Sequence, residues 1–206
     1  MPPKSKCTRD QIISTAFEMV RKEGRDALTA RNLAKALGTS TAPIFTSFIS
    51  IEEIQNEVID RAKALYGRYV QEGLQQSPAF KGVGLKYIEF AQNEPELFQI
   101  LFASNAREHS MEPFLPSYDE NAPLILNVLQ GSYGLSSETA RRLYNHMSVY
   151  AFGFASLYAQ RIYMFSMEDI GRMLSEVFTA LIKNETDAGK IPPDFSTRTG
   201  SAPTES

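Results

Sequence analysis

The sequence has few of the residues that build disulfides, metal centres or membrane spans. Its 206 residues include one cysteine, Cys7, and two histidines, His109 and His146. A single cysteine excludes an internal disulfide, and the wide separation of these three residues predicts no metal site. No apolar run approaches the roughly 18 residues that a transmembrane helix needs. The opening "MPPKSKCTRDQ" has no apolar core typical of a secretory signal, so we expect a cytoplasmic protein without a membrane partner.

Enzyme motifs are also missing. The chain contains no HExxH, no Glu-x-x-His pair, no phosphate-binding P-loop and no Gly-x-Ser-x-Gly turn. We therefore predict no catalytic residue and no cofactor, and an enzyme on a helical scaffold is the least favoured class of function.

Charge is distributed unevenly along the chain. The formal net charge is -3, yet residues 1–48 hold eight Lys or Arg against four Asp or Glu. A basic head on an acidic body favours a polyanionic partner for the head alone, although chance asymmetry gives the same pattern.

Helical periodicity covers most of the chain and predicts an all-α fold of about nine helices. N-terminal capping signals mark the starts of six of them. Thr8 with Gln11 and Ser50 with Glu53 form the capping-box pattern, and Ile49 and Ile54 are spaced as a hydrophobic staple around the latter. The other four predicted caps are Thr29, Ser40, Ser137 and Ser166. We predict that the helix from Ser137 ends near Tyr163 and that the last helix ends near Asn184.

The stretch "LTARNLAKALGTSTAPIFTSF", residues 28–48, contains two short helical segments joined at Gly38. This spacing is typical of a helix-turn-helix motif, in which the second helix enters the DNA major groove. Helix pairs with such turns also occur in bundles that bind no DNA.

Residues 8–60 resemble the TetR/AcrR family of helix-turn-helix transcriptional regulators. The matching residues are Arg31, Leu33, Ala34, Gly38, Ser40, Phe48, Ser50 and Glu53. The resemblance implies a DNA-binding head of three helices over residues 1–49 and a larger ligand-binding and dimerisation domain over 50–184. The composition of residues 185–206 predicts a disordered tail.

The chain departs from the family pattern at several positions that would contact phosphate. Phe45 replaces the usual Tyr, Thr46 and Ser47 replace a frequent His or Arg followed by Tyr, and Ile51 replaces a frequent Lys. We therefore expect DNA binding that is weaker and less dependent on salt than is usual in the family.

The predicted partner of the head is double-stranded operator DNA. The expected DNA-binding residues are Lys4, Lys6, Arg31, Thr39, Ser40, Thr41, Ala42, Pro43, Phe45, Thr46 and Ser47. Small apolar groups on the second helix could contact thymine methyls, and its hydroxyls could reach bases or phosphates. Arg31 could also be a solvated surface arginine, and Phe45 could pack inside. Lys4, Lys6 and Arg9 could form a basic arm over the DNA backbone or a solvated tip.

The resemblance further implies a homodimer that binds an unknown small apolar ligand. The candidates for the ligand pocket are Phe90, Phe98, Phe102, Met111, Phe114, Tyr118, Tyr144, Met147, Tyr150 and Phe154. The candidates for the dimer interface are Phe152, Leu157, Ile170, Leu174, Val177, Phe178 and Leu181. Either set could instead be the ordinary core of a single subunit.

These observations together predict a TetR-like transcriptional regulator, a repressor rather than an activator, that a small apolar ligand releases from DNA. The alternative is a TetR-like fold that has lost DNA binding and acts through a protein partner.

Overall fold

The computed structural model describes residues 7–103 and 120–191. Within these ranges the chain forms nine α-helices and no β-strand, which confirms the predicted all-α fold. The helices are α1 (Arg9–Glu23), α2 (Ala30–Ala36), α3 (Ala42–Ser47), α4 (Ile51–Leu74), α5 (Ala79–Asn93), α6 (Pro95–Phe98), α7 (Ala122–Tyr133), α8 (Ser137–Ala159) and α9 (Met167–Asp187). A 3-10 turn spans Arg25–Ala27, and a π-helical segment spans Gln99–Ala103. In the part of the chain so described, no helix has the length and apolarity to cross a membrane.

The described residues divide into two compact units. One contains residues 7–68 and 90–103, and the other contains residues 69–89 and 120–191. The division does not follow the boundary that we predicted between residues 49 and 50. The first turns of α4 belong with α1–α3 because Ile54, Val58 and Ala62 are buried in the first unit.

Local capping chemistry determines several helix starts as predicted. Thr8 and Gln11 form a reciprocal capping box at α1, and Thr29 accepts a hydrogen bond from the backbone of Asn32 at α2. Ser166 caps α9 together with Asp169. In each case a side-chain oxygen accepts from a backbone N–H that has no partner within the helix.

Two predicted caps are wrong by one residue. α3 is capped by Thr41, whose side chain makes no capping hydrogen bond, rather than by Ser40. α8 is capped by Ser136, which has extended backbone angles and accepts from Thr139 N, whereas Ser137 is already helical.

Two helix ends also differ from prediction. α8 ends at Ala159, before the predicted Tyr163, because Arg161 adopts a left-handed conformation with φ 60° and terminates the helix. α9 continues to Asp187, and both Glu185 and Ile191 are buried. The predicted start of a disordered tail at residue 185 is therefore wrong, and residues 192–206 lie outside the described residues.

Candidate nucleic-acid interface

The helix-turn-helix segment packs through one side of each short helix. Leu33 and Ala34 on α2, Ile44 on α3 and Phe48 after it are all buried, as the apolar spacing predicts. Because these residues hold the inner faces of α2 and α3, the opposite faces point to solvent.

The solvent face of α3 carries Thr41, Ala42, Phe45 and Thr46, which are all exposed. Thr41 and Phe45 lie four residues apart, as do Ala42 and Thr46, so each pair lies on the same side of the helix. The four exposed side chains form one surface, which we call the α3 face. The ring of Phe45 is 45% exposed, so it does not pack inside the protein. The Thr46 hydroxyl donates a 3.0 Å hydrogen bond to the carbonyl oxygen of Ala42.

The other DNA-binding candidates surround this face in the sequence. Arg31 on α2 and Ser40 in the turn are exposed, whereas Thr39, Pro43 and Ser47 are half-buried. The candidates Lys4 and Lys6 lie outside the described residues.

Acidic residues are absent from the whole stretch of residues 27–51, which contains Arg31 and Lys35 as its charged residues. Both side chains are exposed, and neither makes an ion pair with another described residue. The helix-turn-helix segment therefore presents positive charge and hydroxyl and methyl groups, a composition compatible with a polyanion.

Arg9 does not form the basic arm considered above. Its guanidinium donates hydrogen bonds to Glu53 at 2.9 Å, to Glu57 at 2.6 Å and to the Ser47 carbonyl at 2.9 Å. It also lies 4.0 Å from the centroid of the Phe48 ring. These hydrogen bonds raise the pKa of Arg9, and its charge is balanced by two carboxylates of α4. Arg9 fixes the end of α3 to α4 instead.

Glu53 strengthens the same junction. Its carboxylate accepts a 2.7 Å hydrogen bond from the backbone N–H of Ile49 as well as the bond from Arg9. These two interactions lower the pKa of Glu53. The predicted staple between Ile49 and Ile54 is wrong, because Ile49 is 94% exposed while Ile54 is buried.

Arg21 is the second basic residue of the head whose charge is balanced by a carboxylate outside residues 1–49. Its Nε donates a 2.6 Å hydrogen bond to the carboxylate of Glu94, which is buried, and its Nη2 donates to the other oxygen of the same group. This bidentate pair raises the pKa of Arg21. The excess of positive charge counted over residues 1–48 therefore overstates what is available to a ligand.

The candidates for a ligand pocket fall into separate groups. Phe90, Phe98 and Phe102 lie in the first unit, where Phe102 contacts Phe98 at 5.3 Å and Tyr66 at 5.0 Å between ring centroids. Tyr66 and Phe90 also stand 5.3 Å apart. The cluster packs the π-helical segment against α4 and α5, and a role of these rings in a ligand pocket stays a prediction.

The remaining described candidates lie in the second unit on α8. Tyr144, Met147 and Phe154 are buried, and the rings of Tyr150 and Phe154 are 5.2 Å apart. Met111, Phe114 and Tyr118 lie outside the described residues.

Three candidates for the dimer interface pack, wholly or in part, within their own subunit. Ile170 and Leu174 are buried in the chain's own core. The ring of Phe178 contacts Phe80 at 5.4 Å and Tyr133 at 5.2 Å within the same unit. Side chains already covered by their own subunit have little area left for a second one. Phe152, Leu157, Val177 and Leu181 are half-buried, and their role stays a prediction.

Sequence reasoning missed several exposed apolar residues of the second unit. They are Val149 on α8, and Ile162, Tyr163, Met164 and Phe165 between α8 and α9. The premature end of α8 exposes the last four, and no local pattern predicts that end. The segment of residues 162–165 is nevertheless fixed to α8, because the Tyr158 hydroxyl donates a 2.6 Å hydrogen bond to the Phe165 carbonyl.

Comparisons with known proteins give no assignment: no family model matches the sequence, and no curated protein matches it either. The resemblance of residues 8–60 to TetR/AcrR regulators therefore stays a prediction from motif residues.

Proposed function

We propose that the chain is a DNA-binding transcriptional regulator of the TetR/AcrR type. The observation that carries this proposal is the α3 face: four exposed, uncharged side chains on a short helix whose inner side is buried, within a stretch that has no carboxylate. A helix braced in this way and free of negative charge suits the major groove of duplex DNA.

The proposal includes a homodimer. Two recognition helices must meet successive major grooves, which are about 34–36 Å apart, so a single subunit reads only half of a site. The exposed apolar side chains of the second unit, Val149 and residues 162–165, support a second copy of the chain as partner.

The proposal also includes repression that a small apolar ligand relieves. A ligand that prefers one arrangement of the dimer shifts the spacing or tilt of the recognition helices and so weakens DNA binding. The abundance of aromatic residues on α5–α8 supports an apolar ligand. The protein, in this proposal, acts in the cytoplasm.

Fluorescence anisotropy tests the proposal directly. Purified protein is titrated onto DNA from upstream of its own gene and onto pooled genomic fragments, at two salt concentrations. We expect specific binding that Arg31→Ala weakens by roughly 10-fold, the loss of one base contact of about 1–3 kcal/mol. Arg141→Ala is the matched control, because Arg141 is also exposed and lies on α8.

An absence of specific binding to every fragment by the ligand-free protein would contradict the proposal. If Arg31→Ala and Arg141→Ala weaken DNA binding equally, DNA is still the partner, but Arg31 makes no specific contact with it.

A TetR-like protein that acts through a protein partner is the second candidate. Phe45 and Ile49 favour it, because two exposed apolar side chains close together in the sequence are suited to a protein surface. The missing phosphate-contact residues favour it as well. The same titration separates the two candidates.

A further inference from the structure

We propose that the α3 face reads DNA through the methyl groups of thymine, so that the operator has A·T pairs where α3 enters the groove. This inference rests on the proposed function and adds the chemistry by which the sequence is recognised. It follows from which groups on α3 remain available after the protein's own hydrogen bonds are formed.

The side chains that usually make bidentate base contacts are absent from α3. Arg and Lys recognise guanine, and Asn and Gln recognise adenine, through paired hydrogen bonds to base edges. The helix Ala42–Ser47 has the sequence APIFTS and contains none of these four residue types. Sequence discrimination by α3 must therefore use other groups.

Internal hydrogen bonding uses one of the hydroxyl donors that the α3 face does have. The Thr46 hydroxyl donates to the Ala42 carbonyl, so its proton is used within the helix. The apolar groups of this exposed face are the methyl groups of Thr46, Thr41 and Ala42, and the ring of Phe45. The sequence alone leaves both hydroxyl and methyl contacts open, and this bond favours a contact through the methyl group at Thr46.

Thymine is the base that offers an apolar group to such a surface. Its C5-methyl projects into the major groove, and Ala, the Thr methyl and Phe are side chains that contact it. Duplex DNA is the occupant that the charges favour, because residues 27–51 contain Arg31 and Lys35 and no carboxylate.

Deoxyuridine provides the test because it pairs like thymidine and lacks only the methyl group. The full-length protein first selects its preferred duplexes from a random-sequence pool. Each thymine of an enriched duplex is then replaced singly by deoxyuridine. We expect about a four-fold loss of affinity for each contacted methyl, the value of one buried methylene-sized group, at positions shared by the two half-sites.

Protein variants identify the contacting side chain. Phe45→Ala should bind the thymine duplex more weakly and lose its sensitivity to deoxyuridine at the position that Phe45 contacts. Thr46→Ser removes only a methyl group and keeps the hydroxyl, so it should abolish sensitivity at a different position. Leu124→Ala is the control, because Leu124 is also apolar and exposed but lies on α7 in the other unit.

The outcomes separate this inference from the proposed function. If a specific duplex is enriched and every deoxyuridine substitution changes its affinity by less than two-fold, the inference about thymine methyls is wrong. The proposed function as a DNA-binding regulator would still hold. An unchanged deoxyuridine profile in both Phe45→Ala and Thr46→Ser would assign the methyl contacts to another element and equally overturn the inference. If no duplex is enriched, the proposed function fails, this inference fails with it, and a protein partner becomes the occupant of the α3 face.

Discussion

Glu53 shows how a single residue stabilises the junction between α3 and α4. Its carboxylate accepts hydrogen bonds from Ile49 N and from Arg9, and Arg9 in turn contacts the carbonyl of Ser47. The position of the α3 face therefore depends on charges that lie outside α3 itself. The arrangement makes the junction sensitive to acid.

We predict that Glu53→Gln removes part of this acid sensitivity. The folded protein lowers the pKa of Glu53 below its ordinary 4.5, chiefly through the Ile49 N–H and then through Arg9. The stabilisation is therefore complete above about pH 4.5 and is lost as the pH falls through the lowered pKa. The variant should have a lower melting temperature than the wild type at pH 7. This difference in melting temperature should shrink as the pH falls below the pKa that the carboxyl has in the unfolded chain.

Thermal denaturation followed by circular dichroism between pH 3 and pH 7 measures this effect. Glu23→Gln is the control, because Glu23 is exposed and pairs with no described residue, so its difference from wild type should stay flat. A Glu53→Gln curve parallel to the wild type at all pH values would show that the junction does not depend on this charge.

Residue-scale features of this kind were the least predictable from the sequence. Arg9 lies 44 residues from Glu53, and Arg21 lies 73 residues from Glu94. No local spacing indicates such pairs, because they depend on how the helices fold back on one another. For this reason the sequence does not indicate that Arg9 pairs with two carboxylates of α4.

At the scale of the element, local chemistry was a good guide. The capping box at Thr8 and the cap at Ser166 were predicted because each uses a side chain and a backbone group within four residues of one another. The staple at Ile49 failed because the Glu53 carboxylate holds the Ile49 backbone while its side chain remains in solvent. A pattern of apolar residues does not distinguish these outcomes.

The stripe on α9 illustrates a second limit at this scale. Its helical spacing correctly predicted an apolar face, but spacing does not say whether that face packs on its own chain or on a second one. Ile170, Leu174 and Phe178 pack on their own chain. The sequence does not show how far each of these side chains is buried by its own chain.

The close approach of α4 and α5 gives a prediction about two glycines of one helix. A Cβ atom at Gly73 would lie 2.7 Å from the backbone of Val83, whereas one at Gly67 would meet nothing within 4 Å. Gly73→Ala should lower the free energy of unfolding by about 1–3 kcal/mol, because the backbones must move apart. Gly67→Ala should raise it by about 0.5–1 kcal/mol, because alanine favours the helix.

Urea denaturation of the two variants provides the measurement, with Gly67→Ala as the matched control on the same helix. Equal effects of the two substitutions would mean that helix propensity, rather than the contact with α5, determines the role of Gly73.

At the scale of the whole molecule, the proposed function requires two copies of the chain. The described part of the second unit has several exposed apolar side chains, and Val149 on α8 is 60% exposed. Small residues next to it, Gly153 and Ser156, would allow a second helix to approach closely. A charge introduced at Val149 would have to be buried in such a dimer without a partner.

We therefore predict that Val149→Glu converts a dimer into a monomer without unfolding the chain. Sedimentation velocity should give the wild type twice the 23.0 kDa mass of one chain and the variant the mass of a single chain. Leu124→Glu, at an apolar residue of α7 that is 39% exposed, should remain a dimer. An unpaired buried charge costs several kcal/mol, and every loss of about 1.4 kcal/mol weakens a dimer roughly tenfold, so Val149→Glu should weaken the dimer by at least about a hundredfold.

The same variant connects assembly to recognition. A monomer presents one α3 face, so Val149→Glu should keep its preference for the half-site sequence and lose most of its affinity for the full site, since the second contact is no longer intramolecular. A wild type that is monomeric at tens of micromolar and still binds a full site tightly would contradict the dimer. If Val149→Glu stays dimeric while Leu124→Glu dissociates, the dimer interface lies on α7 rather than on α8. In that case α7 determines the spacing of the two recognition helices.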